Sequence, residues 1–167
     1  GNSIFLSKTG YADKGAGIVE LDLETEKERY VYRPNQDTGA VFIRQLKCSR
    51  DFKQLTFLEN NSNLMVVNLE TGESHIAALD VGFASWSSDG KKMLTDGTYA
   101  QENSKQCMFI CPASGGPVKK IDLSQNLPVK SSIRVPDWSP DGKKIVFTLR
   151  TDVINVTLFR NIIPTVK

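Results

Sequence analysis

Histidine is the side chain most often recruited for proton transfer near neutral pH. This chain has one, His75, in the run SHIAAL that reads as an outer strand. A nucleophile needs a base within hydrogen-bond reach, and a histidine in such a strand is read as exposed or locally bonded. No GxSxG elbow occurs, so no strand-turn-helix presents a serine for acyl transfer. The three cysteines, Cys48, Cys107 and Cys111, are odd in number and lack a CxxC pair, which argues against a disulfide framework or a zinc site. Cys107 and Cys111 fall in CMFIC, where residues four apart share one strand face yet stand about 13 Å apart, too far to bridge. Of the carboxylates, Asp89 and Asp141 belong to repeated turns and Glu70 and Glu73 flank a hairpin, which leaves scattered loop acids such as Asp13, Asp37 and Glu102. Their spacing suggests no paired-acid chemistry. No DxDxDG calcium loop occurs, and Ser114-Gly115-Gly116-Pro117 lacks the lysine and following helix of a phosphate loop, so it reads as a hairpin turn. The sequon Asn155-Val156-Thr157 falls in a predicted strand. The expectation is a chain with no catalytic residues, no metal and no cofactor.

The elements that would carry any site are set by a repeat. Residues 86–94, WSSDGKKML, and residues 138–146, WSPDGKKIV, differ at only three positions. A worn copy, CSRDFKQL at residues 48–55, keeps Ser49, Asp51 and Lys53 but has Cys48 for the tryptophan and Phe52 for the glycine. The span from Cys48 to Trp138 gives about 45 residues per repeat, the length of one four-stranded propeller blade. A second motif recurs between these copies, IVELDLETEK at 18–27 and LMVVNLETGE at 64–73, with a longer Gly-Pro turn in the same slot at 108–120. Fourteen strands are predicted, at residues 3–7, 17–22, 28–32, 41–47, 54–58, 64–68, 74–78, 82–86, 92–95, 106–111, 118–121, 133–138, 144–149 and 155–161. No stretch has helical periodicity. The fold class is therefore all-β, with repeats at about 1–38, 39–80, 81–130 and 131–167, or roughly three and a half blades. The motif makes physical sense: Pro140 presets φ, Asp141 bonds its own backbone, and Gly142 supplies a left-handed turn. Asp89 and Gly90 repeat that chemistry, while Trp86 and Trp138 are expected to cover seams between blades.

The run WSPDGKKIVF at 138–147 closely resembles the repeat of TolB-type β-propellers, related to WD40-like repeats and found also in the propeller domains of prolyl-oligopeptidase-type peptidases. The resemblance implies an incomplete or small TolB-like propeller, since relatives commonly close with six or more blades. It also implies a bacterial cell-envelope setting, periplasmic or otherwise exported, with any signal absent from this chain. The propeller enzymes of the oligogalacturonate-lyase kind bind metal through several histidines, which a single histidine does not supply.

With 21 basic and 19 acidic residues, the formal charge of +2 asks for neither nucleic acid nor an anionic surface. The apolar runs are too short to enter a membrane. Binding then becomes the expectation. In a propeller the loops between second and third strands, and those between blades, gather at one face. Here those are residues 8–15, 60–63, 97–105 and 150–153, with 33–39 and 124–132. Among them Tyr11, Arg33, Tyr99, Gln101 and Arg150 are best suited to a protein partner or a small ligand. The leading reading is a non-enzymatic interaction module, and the alternative is the recognition or gating propeller of a peptidase or polysaccharide-processing enzyme. The open strand edges of three and a half blades are expected to mean either a longer parent chain or pairing between two copies.

Overall fold

The computed structural model describes residues 2–35, 37, 39–60, 62–97, 107–128 and 131–151, and the backbone of 155–159. Its strands form four successive antiparallel sheets. The first contains β1 (Ser3–Lys8), β3 (Gly17–Asp22) and β4 (Glu28–Tyr32), in that order. The second orders β6 (Ile43–Cys48), β7 (Gln54–Glu59), β8 (Asn63–Asn68) and β9 (Ser74–Ala78). The third orders β10 (Val81–Trp86), β11 (Lys92–Gly97), β12 (Cys107–Pro112) and β13 (Lys119–Asp122), and the fourth β14 (Ser132–Trp138), β15 (Ile145–Arg150) and β16 (Asn155–Phe159). Between the first and second sheets, β2 (Gly10–Tyr11) pairs with β5 (Ala40–Val41) in a small ribbon.

The repeated turns hold the sheets in register through the same bonds each time. In the third sheet Ser87 Oγ donates to Asp89 Oδ1 at 2.6 Å and accepts from Lys92 N at 3.0 Å, while Lys91 N donates to Asp89 Oδ1 at 3.1 Å. Ser49 with Asp51, and Ser139 with Asp141, repeat the set. The serine bond comes first among the causes that hold the carboxyls of Asp51, Asp89 and Asp141 below the usual range. Gly90 and Gly142 take φ of 68° and 69°, the left-handed conformation the turn requires.

Burial is organised between sheets. One cluster, with Ile18, Tyr32, Val41, Leu55 and Phe57, joins the first sheet to the second. A second, with Leu58, Val66, Ala84 and Met93, joins the second to the third, and a third, with Leu94, Met108, Ile133 and Phe147, joins the third to the fourth. Trp86 packs on the middle cluster and donates from Nε1 to the Lys47 carbonyl of the preceding sheet at 2.9 Å. Trp138 packs on the last cluster. A repeated alternation of inward and outward residues thus becomes a stack of sheets that stabilise one another.

Two features depart from simple alternation. The predicted strand at 41–47 is split at Phe42, because Val41 is drawn into the ribbon with Gly10. Each inner strand also carries an irregularity, between Arg44 and Lys47, Val81 and Ala84, and Arg134 and Asp137. Gln45 and Val135 there adopt left-handed φ of 59° and 48°, which the one-residue register shift demands.

Candidate functional site

The strand directions place the ribbon, the turn around Asn60, the β9–β10 turn and the end of β15 at one end of the sheets. Tyr11 lies here on β2, 55% exposed, with Lys14 Nζ 5.2 Å from its ring centre. A short 3-10 turn, Ala12–Lys14, follows and ends at Gly15 with φ 89°, where an added Cβ would meet Tyr30 Oη at 3.2 Å. Tyr30 Oη donates to the Gly15 carbonyl at 3.0 Å, and the Arg33 guanidinium stacks 3.6 Å from the Tyr30 ring centre. Arg33 is thus engaged with its own blade through a cation–π contact.

Phe42, 55% exposed, follows the ribbon and is tied to the next turn by two bonds. Asn60 N donates to the Phe42 carbonyl at 2.9 Å, and Phe42 N donates to Asn60 Oδ1 at 3.2 Å. Asn60 holds φ 50°, a conformation asparagine tolerates. Val81 N then donates to the Ser62 carbonyl at 3.0 Å, linking this turn to the β9–β10 connection, where Leu79 is 63% exposed. Beneath them Tyr32 Oη donates to Glu59 Oε1 at 2.6 Å, and burial first, then Glu59, raises the Tyr32 phenol above its usual range. The loops are therefore fixed from below while three large apolar side chains face outward.

The five loop residues expected from sequence fare differently. Tyr11 lies on β2 of the ribbon, Arg33 follows β4 and stacks on Tyr30, and Arg150 is exposed at the end of β15, in register with Ser132 of the fourth sheet. Tyr99 and Gln101 lie outside the described residues. Phe42 and Leu79 escaped the sequence reading; the signal available was a large apolar residue just before an inner strand in each case. His75 is exposed on β9, as expected, and its Nε2 lies 2.9 Å from the Ala113 carbonyl of the next sheet.

Asp96 was also missed. It is fully buried on β11, and its Oδ1 accepts from Phe83 N at 2.7 Å and Gly82 N at 3.1 Å, the groups released by the irregularity in β10. Arg134 of the fourth sheet stands 3.9 Å away. Burial dominates and pushes this carboxyl up to about 6, against the opposing pull of Phe83 N–H and Arg134. The three thiols are likewise pushed up by burial, so they are protonated near neutral pH and poor nucleophiles. Among the described residues no group of three or more histidine, cysteine or acidic side chains gathers to hold a metal.

Successive antiparallel sheets of three or four strands, stacked face to face with tryptophans in two of their seams and loops gathered at one end, define a β-propeller. Solved structures narrow the type. TolB from Acinetobacter baumannii is similar over 93% of this chain and 40% of its own, with a TM-score of 0.57 and 20% identity. The N-terminal domain of Nup159 is similar over 94% of this chain and 39% of its own, at 0.57 and 19%, and a prolyl endopeptidase over 80% and 22%, at 0.61 and 16%. The fold is a β-propeller of the TolB/WD40 type, and the chain spans less than half the length of each of these proteins. No protein-family description matches the sequence, and no curated protein does. No helix among the described residues is long and apolar enough to cross a membrane.

Proposed function

We propose that this chain is a non-enzymatic propeller module that binds a protein partner through the loop end of its sheets. The observation that carries the reading is that Tyr11, Phe42 and Leu79 are each more than half exposed at that end. Aromatic residues on a hydrogen-bonded scaffold lose little conformational freedom on binding, which suits them to the centre of an interface. Arg150 supplies a forked donor on the fourth sheet. The resemblance to TolB-type propellers supports an exported, cell-envelope setting for this interaction.

Photo-crosslinking tests the assignment. A benzophenone side chain at position 11 or 42 is expected to give a discrete crosslinked species in cells, whereas one at Lys143, in the turn at the opposite end, gives none. Combined alanine substitution of Tyr11, Phe42 and Leu79 should remove that species without lowering the thermal midpoint. Equal crosslinking from both ends, or partner binding undiminished in the triple variant, would overturn the assignment.

A further inference from the structure

The tryptophan position of the repeat closes two of the three seams with the chain's own indole. Trp86 does so between the second and third sheets and Trp138 between the third and fourth. In the first seam the corresponding residue is Cys48, which packs at the edge of the first cluster and is only half-buried. There the sheets leave a cleft of about 470 Å³ lined by Phe5, Glu20, Arg29, Cys48, Phe52 and Leu69.

The walls of this cleft differ from the closed seam in a consistent way. In the second sheet Val66 pairs across strands with His75, and Trp86 packs on the cluster that holds Val66. At the matching cross-strand pair of the first sheet stand Glu20 and Arg29, joined as an ion pair. Ser3 Oγ also donates to Glu20 Oε1 at 2.8 Å. The Val66–His75 pair has thus become a flat guanidinium beside a fixed carboxylate, with Phe5 and Leu69 as apolar walls and Ser3 and Glu70 completing the lining. A guanidinium plane stacks on aromatic rings, and a carboxylate with remaining lone pairs accepts a ring N–H.

The second departure of the same repeat faces the same cleft. Phe52 occupies the turn position held elsewhere by Gly90 and Gly142, and it keeps the left-handed φ of 56°. A bulky residue there is strained. Its ring is 71% exposed and lines the cleft. In the closed seam the indole N–H donates to Lys47 O on the preceding inner strand. Of the two carboxylates that line this cleft, Glu20 is the one held beside the Arg29 guanidinium, whereas Glu70 pairs with Lys53.

We propose that this cleft binds a neutral aromatic heterocycle bearing one ring N–H, an indole, in place of the tryptophan side chain that this repeat lacks. The ring stacks on Arg29 between Phe5, Phe52 and Leu69, and its N–H is donated to the Glu20 carboxylate. This site is at the opposite end of the sheets from the loop face and stands or falls independently of it.

Cys48 reports on occupancy, because it is half-buried whereas Cys107 and Cys111 are buried. With 5-fluoroindole as the probe, a shifted fluorine resonance is expected, half-saturating on the order of 1 mM, the range open to so small a ligand. Saturating probe should slow iodoacetamide alkylation of Cys48 by about tenfold or more, since only the unoccupied fraction reacts. Indene, of the same shape without the N–H, should bind about tenfold more weakly. Cys48→Trp should fill the cleft from within, abolish the shift and raise the thermal midpoint. N-acetyl-tryptophanamide separates the sources: binding as tight as indole points to a partner's tryptophan side chain, and failure of this bulkier probe alone points to a free small molecule. Unchanged alkylation of Cys48 in millimolar probe would overturn the proposal even if the Cys48→Trp chain failed to fold. So would a folded Cys48→Trp chain that binds 5-fluoroindole as well as the original.

Discussion

Asp96 shows how one residue can couple two sheets. Its carboxylate caps two backbone N–H groups that the β10 irregularity removes from the ladder, and it faces Arg134 of the next sheet. Burial raises its folded pKa to about 6, whereas an unfolded aspartate titrates near about 3.9. The native state therefore binds the proton more tightly than the unfolded chain. Its contribution to stability is fully present below about pH 4 and is lost as pH rises through about 6. A difference of about two units corresponds to about 3 kcal/mol. Asp96→Asn keeps an acceptor for the two N–H groups and cannot ionise. The stability of the wild type relative to this variant, from urea melts, is expected to fall by about 2–3 kcal/mol between pH 4 and pH 7. A difference that is flat across that window would show that burial does not hold the proton there.

Turns belong to the next scale, where the same Ser-x-Asp-Gly chemistry sits in different surroundings. Gly90 and Gly142 share a left-handed φ, so alanine strains both by about 1 kcal/mol. Their neighbours differ: a Cβ on Gly90 would lie 3.8 Å from Ser49 Cβ, but one on Gly142 would lie 2.8 Å from Ser88 Oγ. Gly142→Ala is therefore expected to lower the urea midpoint more than Gly90→Ala. Phe52→Gly is expected to raise it, by up to about 1 kcal/mol, because a side chain is released from a conformation that glycine adopts freely. A lowered midpoint for Phe52→Gly would mean that the ring contributes more packing than the turn stores strain.

At the scale of the molecule, stability resides in three seams, and closure into a ring is not shown among the described residues. Among the described residues β1 pairs on one side only, with β3, and Ile4 and Leu6 are exposed along it. Such an edge is a template for strand pairing. We propose that two copies associate through it. Sedimentation should show a dimer that grows with concentration, and combined Ile4→Lys and Leu6→Lys substitution should return it to monomer. A monomer at all concentrations would remove this edge as an interface.

Much of the fold was legible because its determinants are local. The alternation in LMVVN, the turn demands met by Asp89-Gly90 and Asp141-Gly142, and the recurrence of tryptophan at Trp86 and Trp138 each depend on residues within a few positions. They specify antiparallel four-stranded units and their seams. Pairing of Gly10 with Val41, the left-handed Gln45 and Val135, the burial of Asp96, and the exposure of Phe42 and Leu79 were hidden, since each is set by a neighbour far along the chain. Sequence by itself showed that Cys48 and Phe52 depart from the repeat. Only the packing of one sheet against the next showed that both departures open on the same cleft, because a missing indole becomes a cavity only where no other side chain moves in to fill it.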